Sequence, residues 1–318
     1  MPQNKSKTTR PIDFAVGGQA LIEGVLMRSP NFNIISVRTP AGEISEKSEF
    51  YQNLTRRFKF FNIPLLRGVI NMFEMMLIGT KALNFSSLIT LGGGDPKKSE
   101  NGFWVNLSVI FSTFLGLGLA IALFKFVPLW LTSVLSDFIP SIQANYLLFN
   151  FVDAFIKTSI FIGYISLMAL IPDIKRVFMY HGAEHKSIMT YENGLELNVE
   201  NARQQTRFHP RCGTSFIIIV FLISILVFTL IPKNPDFIAN FFTRLLALPF
   251  IAGISYELLK YSAKLKDNTF LNILAFPGLL MQKITTQEPD DKMLEVALNS
   301  LRLALNSEEN YQKQKHVL

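Results

Sequence analysis

Four apolar stretches stand out along the chain, each close to the roughly 20 residues a helix needs to cross a hydrocarbon layer. Residues 103–124 contain no formal charge, and 150–171 carry Asp153 and Lys157 near one end. Residues 214–231 are almost wholly Ile, Phe, Val and Leu, while 239–259 are interrupted by Arg244 and end at Glu257. The pattern predicts about four transmembrane helices. Residues 65–90 are apolar except for Arg67, Asn71, Glu74 and Lys81, which share one helical stripe. They predict an amphipathic helix on the membrane surface, with a polar-striped fifth span as the alternative. The run 269–281, broken by Pro277 and Gly278, reads as an interfacial or re-entrant piece.

Two further segments follow other periods. Residues 33–38 and 43–49 flank Thr39-Pro40-Ala41-Gly42, which predicts a hairpin preceded by an extended segment over 16–27. After Pro289, Asp290 is placed to cap a helix whose Leu294, Ala297, Leu298, Leu301 and Leu305 form one apolar face. That face is expected to pack on the β unit or on the surface helix. The fold class is therefore a mainly α, polytopic membrane protein with a small β-rich N-terminal cytoplasmic unit and an amphipathic C-terminal helix. The expected order is a cytoplasmic β-rich unit (1–62), a surface helix and linker (63–102), helices 1 and 2 of the membrane part (103–172), a cytoplasmic His/Glu/Cys loop (173–213), helices 3 and 4 (214–260) and a cytoplasmic tail (261–318).

Composition agrees with this. Of 318 residues, 49% are hydrophobic and only 17% charged, against about 25% charged in ordinary soluble domains. A soluble body of this size is excluded, and the abundance of Phe, Leu and Ile excludes a disordered chain. The single cysteine, Cys212, excludes an internal disulfide. Lys and Arg collect in residues 1–102, 173–213 and 260–318, whereas 125–149 and 232–238 hold one each, Lys125 and Lys233. Both termini and the central loop are accordingly expected on the cytoplasmic side. The net charge of +7 is accounted for by such flanks beside anionic lipid. The expected partners are the lipid bilayer and other membrane proteins, with no nucleic acid.

The central loop carries the chemistry. His181, His185, His209 and Cys212 fall within a tenth of the chain. His181-Gly-Ala-Glu184-His185 spells H-x-x-E-H; if the helix of the second span runs on through it, both imidazoles share a face with Glu184 beside them. Asn193-Gly194 is a stop signal, and Asn198 a cap for a short helix that Pro210 terminates. His209-Pro-Arg-Cys212 then supplies H-x-x-C just before the third span. His181, His185, His209 and Cys212 are candidate ligands for zinc or another divalent metal. Glu184 is the candidate general base, since H-x-x-E-H is also the inverzincin protease signature. Polar groups networked without metal, and ordinary loop polarity, are the alternatives. Cys212 is also a candidate thiolate nucleophile beside His209, and Glu257 a candidate partner or extra ligand of the site.

Gly17-Gly-Gln-Ala-Leu-Ile-Glu-Gly-Val-Leu-Met-Arg28, Tyr180-His-Gly-Ala-Glu-His-Lys186, His209-Pro-Arg-Cys-Gly-Thr-Ser215, Ala252-Gly-Ile-Ser-Tyr-Glu-Leu258 and Glu288-Pro-Asp-Asp291 occur in this order. Together they resemble the YqhQ family of bacterial multi-pass membrane proteins, which carry a domain of unknown function and are often labelled predicted metal-dependent enzymes. The resemblance covers about 15–305 and implies a bacterial cytoplasmic (inner) membrane and a largely helical body; it implies no substrate. Two functions follow from the residues: a metal-dependent hydrolase at the cytoplasmic face, acting on a peptide or lipid-linked substrate, or a non-enzymatic assembly or quality-control factor in which a His/Cys site is structural. A small-molecule transporter is the third.

Overall fold

A computed structural model describes residues 16–92, 103–209, 212–231, 236–264 and 269–317. The N-terminal part is a four-stranded antiparallel meander of strands β1 (Gly17–Leu21), β2 (Gly24–Arg28), β3 (Phe32–Arg38) and β4 (Ile44–Phe50). The hairpin around Thr39–Gly42 forms, closed by Gly42, whose φ of +91° a residue with a side chain rarely adopts. The extended segment over 16–27 is in fact two strands. Glu23 turns the chain between them at φ 51° and is tied down by Arg176, whose guanidinium donates to both carboxylate oxygens at 2.5 and 2.6 Å.

After a short helix, α1 (Leu54–Arg57), and a single 3₁₀ turn, helix α2 (Leu66–Thr90) packs against the sheet. Three of its four stripe residues turn away from water, while Lys81 is exposed as expected. Arg67 pairs with Glu257, the Asn71 amide donates to Tyr256 Oη at 2.8 Å, and buried Glu74 accepts from Tyr51 Oη and Leu54 N. The exposed side of its first half is instead Leu66, Met72, Phe73, Met76 and Leu77. Arg67, Asn71 and Glu74 thus form an internal seam, and the apolar residues of that half are the outer face. The linker expected up to residue 102 falls largely outside the described residues.

The first long apolar helix runs further than its apolar run suggests. Helix α3 (Phe103–Ile121) passes through a π-turn (Ala122–Phe126) into α4 (Val127–Phe138), so that Lys125 lies within a helix rather than in a loop. Pro128 lies inside this continuous helix, where it donates no N–H, and the π-turn immediately precedes it. A short α5 (Pro140–Ala144) leads to α6 (Tyr146–Met168), capped by the Asn145 side chain. Next come α7 (Pro172–Glu192), α8 (Val199–Arg203), α9 (Gly213–Leu230), α10 (Phe237–Leu246), α11 (Leu248–Lys264), α12 (Thr269–Thr285) and α13 (Asp291–Val317). Among the described residues, three helical stretches are long and apolar enough to cross a membrane: Phe111–Phe138, Tyr146–Met168 and Phe237–Tyr261. The apolar helix Phe216–Leu230 is shorter. Arg244 does not reach an interface: it is 1% exposed and donates to Asp153 at 3.1 Å and to Asn150 at 2.5 Å, with Lys157 on the same aspartate. Burial without a partner would be far more costly than pairing.

Residues 269–285 form one helix despite Pro277. Helix α13 starts where Asp290 accepts from Met293 N at 2.8 Å, and its apolar face, including Leu294, Ala297, Leu298 and Leu301, packs on the sheet and on α7 in one core. At its far end the buried Glu308 carboxylate accepts from Ser29 Oγ, Asn31 N and Asn31 Nδ2, pinning the β2–β3 turn.

Candidate metal centre

The H-x-x-E-H residues lie in the middle of α7. This helix is not a continuation of α6, because the chain breaks at residues 169–171 and restarts with Pro172 in the first turn, where proline is favoured. Both histidines are nevertheless on one helix and share a face, with ring centroids 4.4 Å apart. The helix stops at Asn193-Gly194, with Gly194 at φ +66°, and Asn198 caps α8 by accepting from Asn201 N at 2.8 Å. Helix α8 ends at Arg203, well before Pro210, which lies outside the described residues.

Two backbone carbonyls orient the imidazoles. Thr285 O, at the C-terminus of α12, lies 2.8 Å from His181 Nδ1, and Arg207 O lies 2.6 Å from His185 Nδ1. A carbonyl can only accept, so each Nδ1 carries the proton and each Nε2 keeps its lone pair. The Cys212 Sγ is 3.3 Å from His181 Nε2. One donor atom from each of His181, His185 and Cys212 lies within 4.8 Å of the others. Histidines that ligate metals are held in this way, by an acceptor on the second ring nitrogen.

His209 stands beside this group rather than in it. Its ring is 5.5 Å from that of His185, and Nε2 lies 3.5 Å from Glu192 Oε2. The backbone of His209 is gripped by Gln282, whose side-chain amide accepts from its N–H and donates to its carbonyl, both at 2.8 Å. Glu184 lines the same open chamber of about 570 Å³, between β1, α7 and α9. Its carboxylate accepts from the Gly18 backbone N–H. The approach requires glycine: a Cβ at residue 18 would come 2.7 Å from Leu26 O and 2.9 Å from Glu184 Cγ. Burial pushes the Glu184 carboxyl up to about 6, partly offset by His181 and the Gly18 N–H. Burial also pushes His185 down to about 3 and His209 to about 4.

Glu257 is held elsewhere, on Arg67 of α2. Three basic residues of the loop are occupied too: Lys186 pairs with Glu288 and donates to Arg203 O at 2.9 Å, Arg203 pairs with Asp291, and Arg207 bonds Thr286 O. The acidic 288–291 segment is thus the counter-charge that docks the loop. Gln282 and the Thr285 and Arg207 carbonyls carry no mark in the sequence, whereas Gly18 does. The paired glycines at the head of β1 signal a close backbone approach, and Gly18 makes one, against Leu26 and Glu184.

Residues 63–307 match the family model described as "Protein of unknown function (DUF1385)". The chain belongs to this family. It is 34% identical to "Uncharacterized protein YqhQ" of Bacillus subtilis (strain 168) over 321 residues, covering 96% of this chain and 98% of that protein. No solved structure matches the chain.

Proposed function

We propose that this member of the family is a multi-pass protein of the bacterial cytoplasmic membrane, with both termini and the His/Cys chamber on the cytoplasmic side, and that it is a metal-dependent hydrolase. The observation that carries the reading is the pair of imidazoles whose Nδ1–H groups are spent on Thr285 and Arg207 carbonyls, leaving two nitrogen lone pairs beside a thiol. Two nitrogens and a sulfur suit zinc or a similar borderline-soft divalent ion. Three protein donors are the number found in catalytic zinc sites, where the fourth position is left to water or substrate, whereas structural sites use four. An ion held there supplies Lewis acidity towards a carbonyl or phosphoryl oxygen.

The chain's own residues do the rest. Glu184, with a pKa of about 6 before any metal binds, is suited to take a proton from an attacking water near neutral pH and return it to the leaving group. The Gly18 N–H holds that carboxylate in the chamber, and His209 lies next to His185 as a further polar wall. Substrates of this chamber are peptide or lipid-linked.

A second reading is favoured by one observation: Cys212 is the N-cap of the 18-residue helix α9, with His181 Nε2 at 3.3 Å. Helix N-termini and a neighbouring imidazole lower thiol pKa, so the pair would serve as a Cys–His nucleophile. A third, non-enzymatic role, in which a bound metal staples α7 to α9 in a factor that docks other membrane proteins, draws on the same donors.

Metal analysis of the detergent-purified protein, together with Glu184→Gln and His181→Ala variants, separates these. The hydrolase reading expects one zinc per chain in the wild type and in Glu184→Gln, none in His181→Ala, and loss of cellular function in both variants. Full cellular function in Glu184→Gln with zinc retained would leave only the staple. A wild type without metal whose Cys212 alkylates rapidly, unaffected by chelator, would favour the nucleophile.

A further inference from the structure

We infer that a groove in the apolar part of the bundle seats one acyl chain of a membrane lipid, so that the chamber acts on a lipid substrate. The inference rests on the membrane-embedded hydrolase reading and deepens it by naming the substrate class. The groove, about 490 Å³ in volume, lies between α6, α9 and α12, with Phe155, Ile162, Phe221, Ile225, Leu280 and Met281 among its walls. Its one polar side chain, Thr158, has its hydroxyl spent on the Ala154 carbonyl at 2.8 Å. Water or a polar ligand finds no partner in such walls, and only hydrocarbon fits them.

The groove's position names the hydrocarbon. Its α6 wall runs from Phe151 to Ile162, ~16 Å at 1.5 Å per residue, within a helix apolar enough to cross a membrane. At that level the surrounding medium is lipid acyl chain. Two elements connect the groove to the polar chamber. On α9, Cys212, Gly213 and Ile217 face the chamber and Ile218 begins the groove wall. On α12, Ile284 lines the groove while the next residue, Thr285, holds His181 through its carbonyl. A lipid with its head at His181 and Cys212 therefore has a place for its tail along the same two helices, polar at one end and apolar along the rest.

The test places the full chain in vesicles of phosphatidylethanolamine and phosphatidylglycerol containing a trace of phosphatidylglycerol with a diazirine midway along one acyl chain. After photolysis, adducts are mapped by mass spectrometry. Adducts on Phe221, Ile225 and Met281 are expected to exceed those on Leu226, an outward-facing residue of the same helix, by about tenfold. Leu280→Trp, which fills the groove from its partly exposed wall, is expected to lower the groove adducts about tenfold and leave Leu226 labelling unchanged. Equal labelling of groove and Leu226, no effect of Leu280→Trp, or adducts joining the groove to a second polypeptide would each overturn the inference. Zinc content is read on the same samples. Groove labelling lost with zinc retained sinks the lipid and spares the metal; labelling retained without zinc does the reverse.

Discussion

Gly182 sits between His181 and His185 of the candidate metal site on α7, and replacing it by alanine sets two physical effects against each other. In an isolated helix interior, Gly→Ala is stabilising by about 1 kcal/mol. Here a methyl group on residue 182 would fall under 3.0 Å from the Gln287 carbonyl oxygen, with Pro289 Cδ at 3.3 Å. The obstacle is backbone and cannot rotate away. It belongs to the 285–289 segment, which also accepts the His181 Nδ1–H through Thr285 O and donates Gln287 N to Phe178 O at 2.8 Å. Overpacking costs about 1–3 kcal/mol, and loosening those two hydrogen bonds about 1 kcal/mol each. After subtracting the propensity gain, Gly182→Ala should destabilise the protein by about 2–4 kcal/mol. Because His181 loses the acceptor that orients it, zinc affinity should fall about 10–100-fold. Thermal unfolding in detergent and competition with a chromophoric chelator measure the two effects. A variant about 1 kcal/mol more stable than wild type, with unchanged zinc affinity, would show that helix propensity acts alone and that the 285–289 segment does not lie against α7.

Three other outcomes are expected. Glu308→Ala removes the acceptor for four donors, Gln312 Nε2 included, in a fully buried position and should cost about 2–4 kcal/mol in thermal unfolding, while leaving zinc stoichiometry unchanged. In the metal-free protein, His185 and His209 stay neutral in the fold to about pH 3 and 4, while an unfolded imidazole protonates near 6.5; falling pH therefore favours the unfolded chain, by about 3 kcal/mol per histidine at pH 4. Glu184 has the opposite sign, because a carboxyl raised to about 6 binds its proton first in the fold and regains about 2 kcal/mol as pH falls from 7 to 4. A net loss of about 4 kcal/mol is expected over that range, and denaturant midpoints that do not change with pH would refute it. Glu257→Gln should weaken the α2–α11 contact without altering zinc content, because its carboxylate faces Arg67; loss of metal would return Glu257 to the site.

The elements that reasoning over the sequence located well depend on forces that act within a few residues. Apolar runs of near-membrane length, the turn at Thr39–Gly42, the stop at Asn193-Gly194 and the caps at Asn198 and Asp290 all reflect local backbone demands, and each stands in the structure. The pairing of His181 with His185 is of the same kind, since any helix through both puts them on one face. Where the chain runs on, as through Lys125 into α4, the length of the apolar run was a poor guide to the length of the helix.

Tertiary structure alone decided which polar groups meet. Arg67, Asn71 and Glu74 form a stripe that local periodicity assigns to water or headgroups, yet they pair with Glu257, Tyr256 and Tyr51. Arg244 is drawn inward by Asp153 from another helix. At the candidate site, Cys212 and two histidines converge while His209 turns towards Glu192, and the acceptors that orient the imidazoles are main-chain carbonyls. Every residue owns a carbonyl, so nothing in residue identity marks Thr285 or Arg207 for that task. A buried polar group requires some partner, but among many chemically equivalent candidates, only the packing of distant helices selects which one it receives.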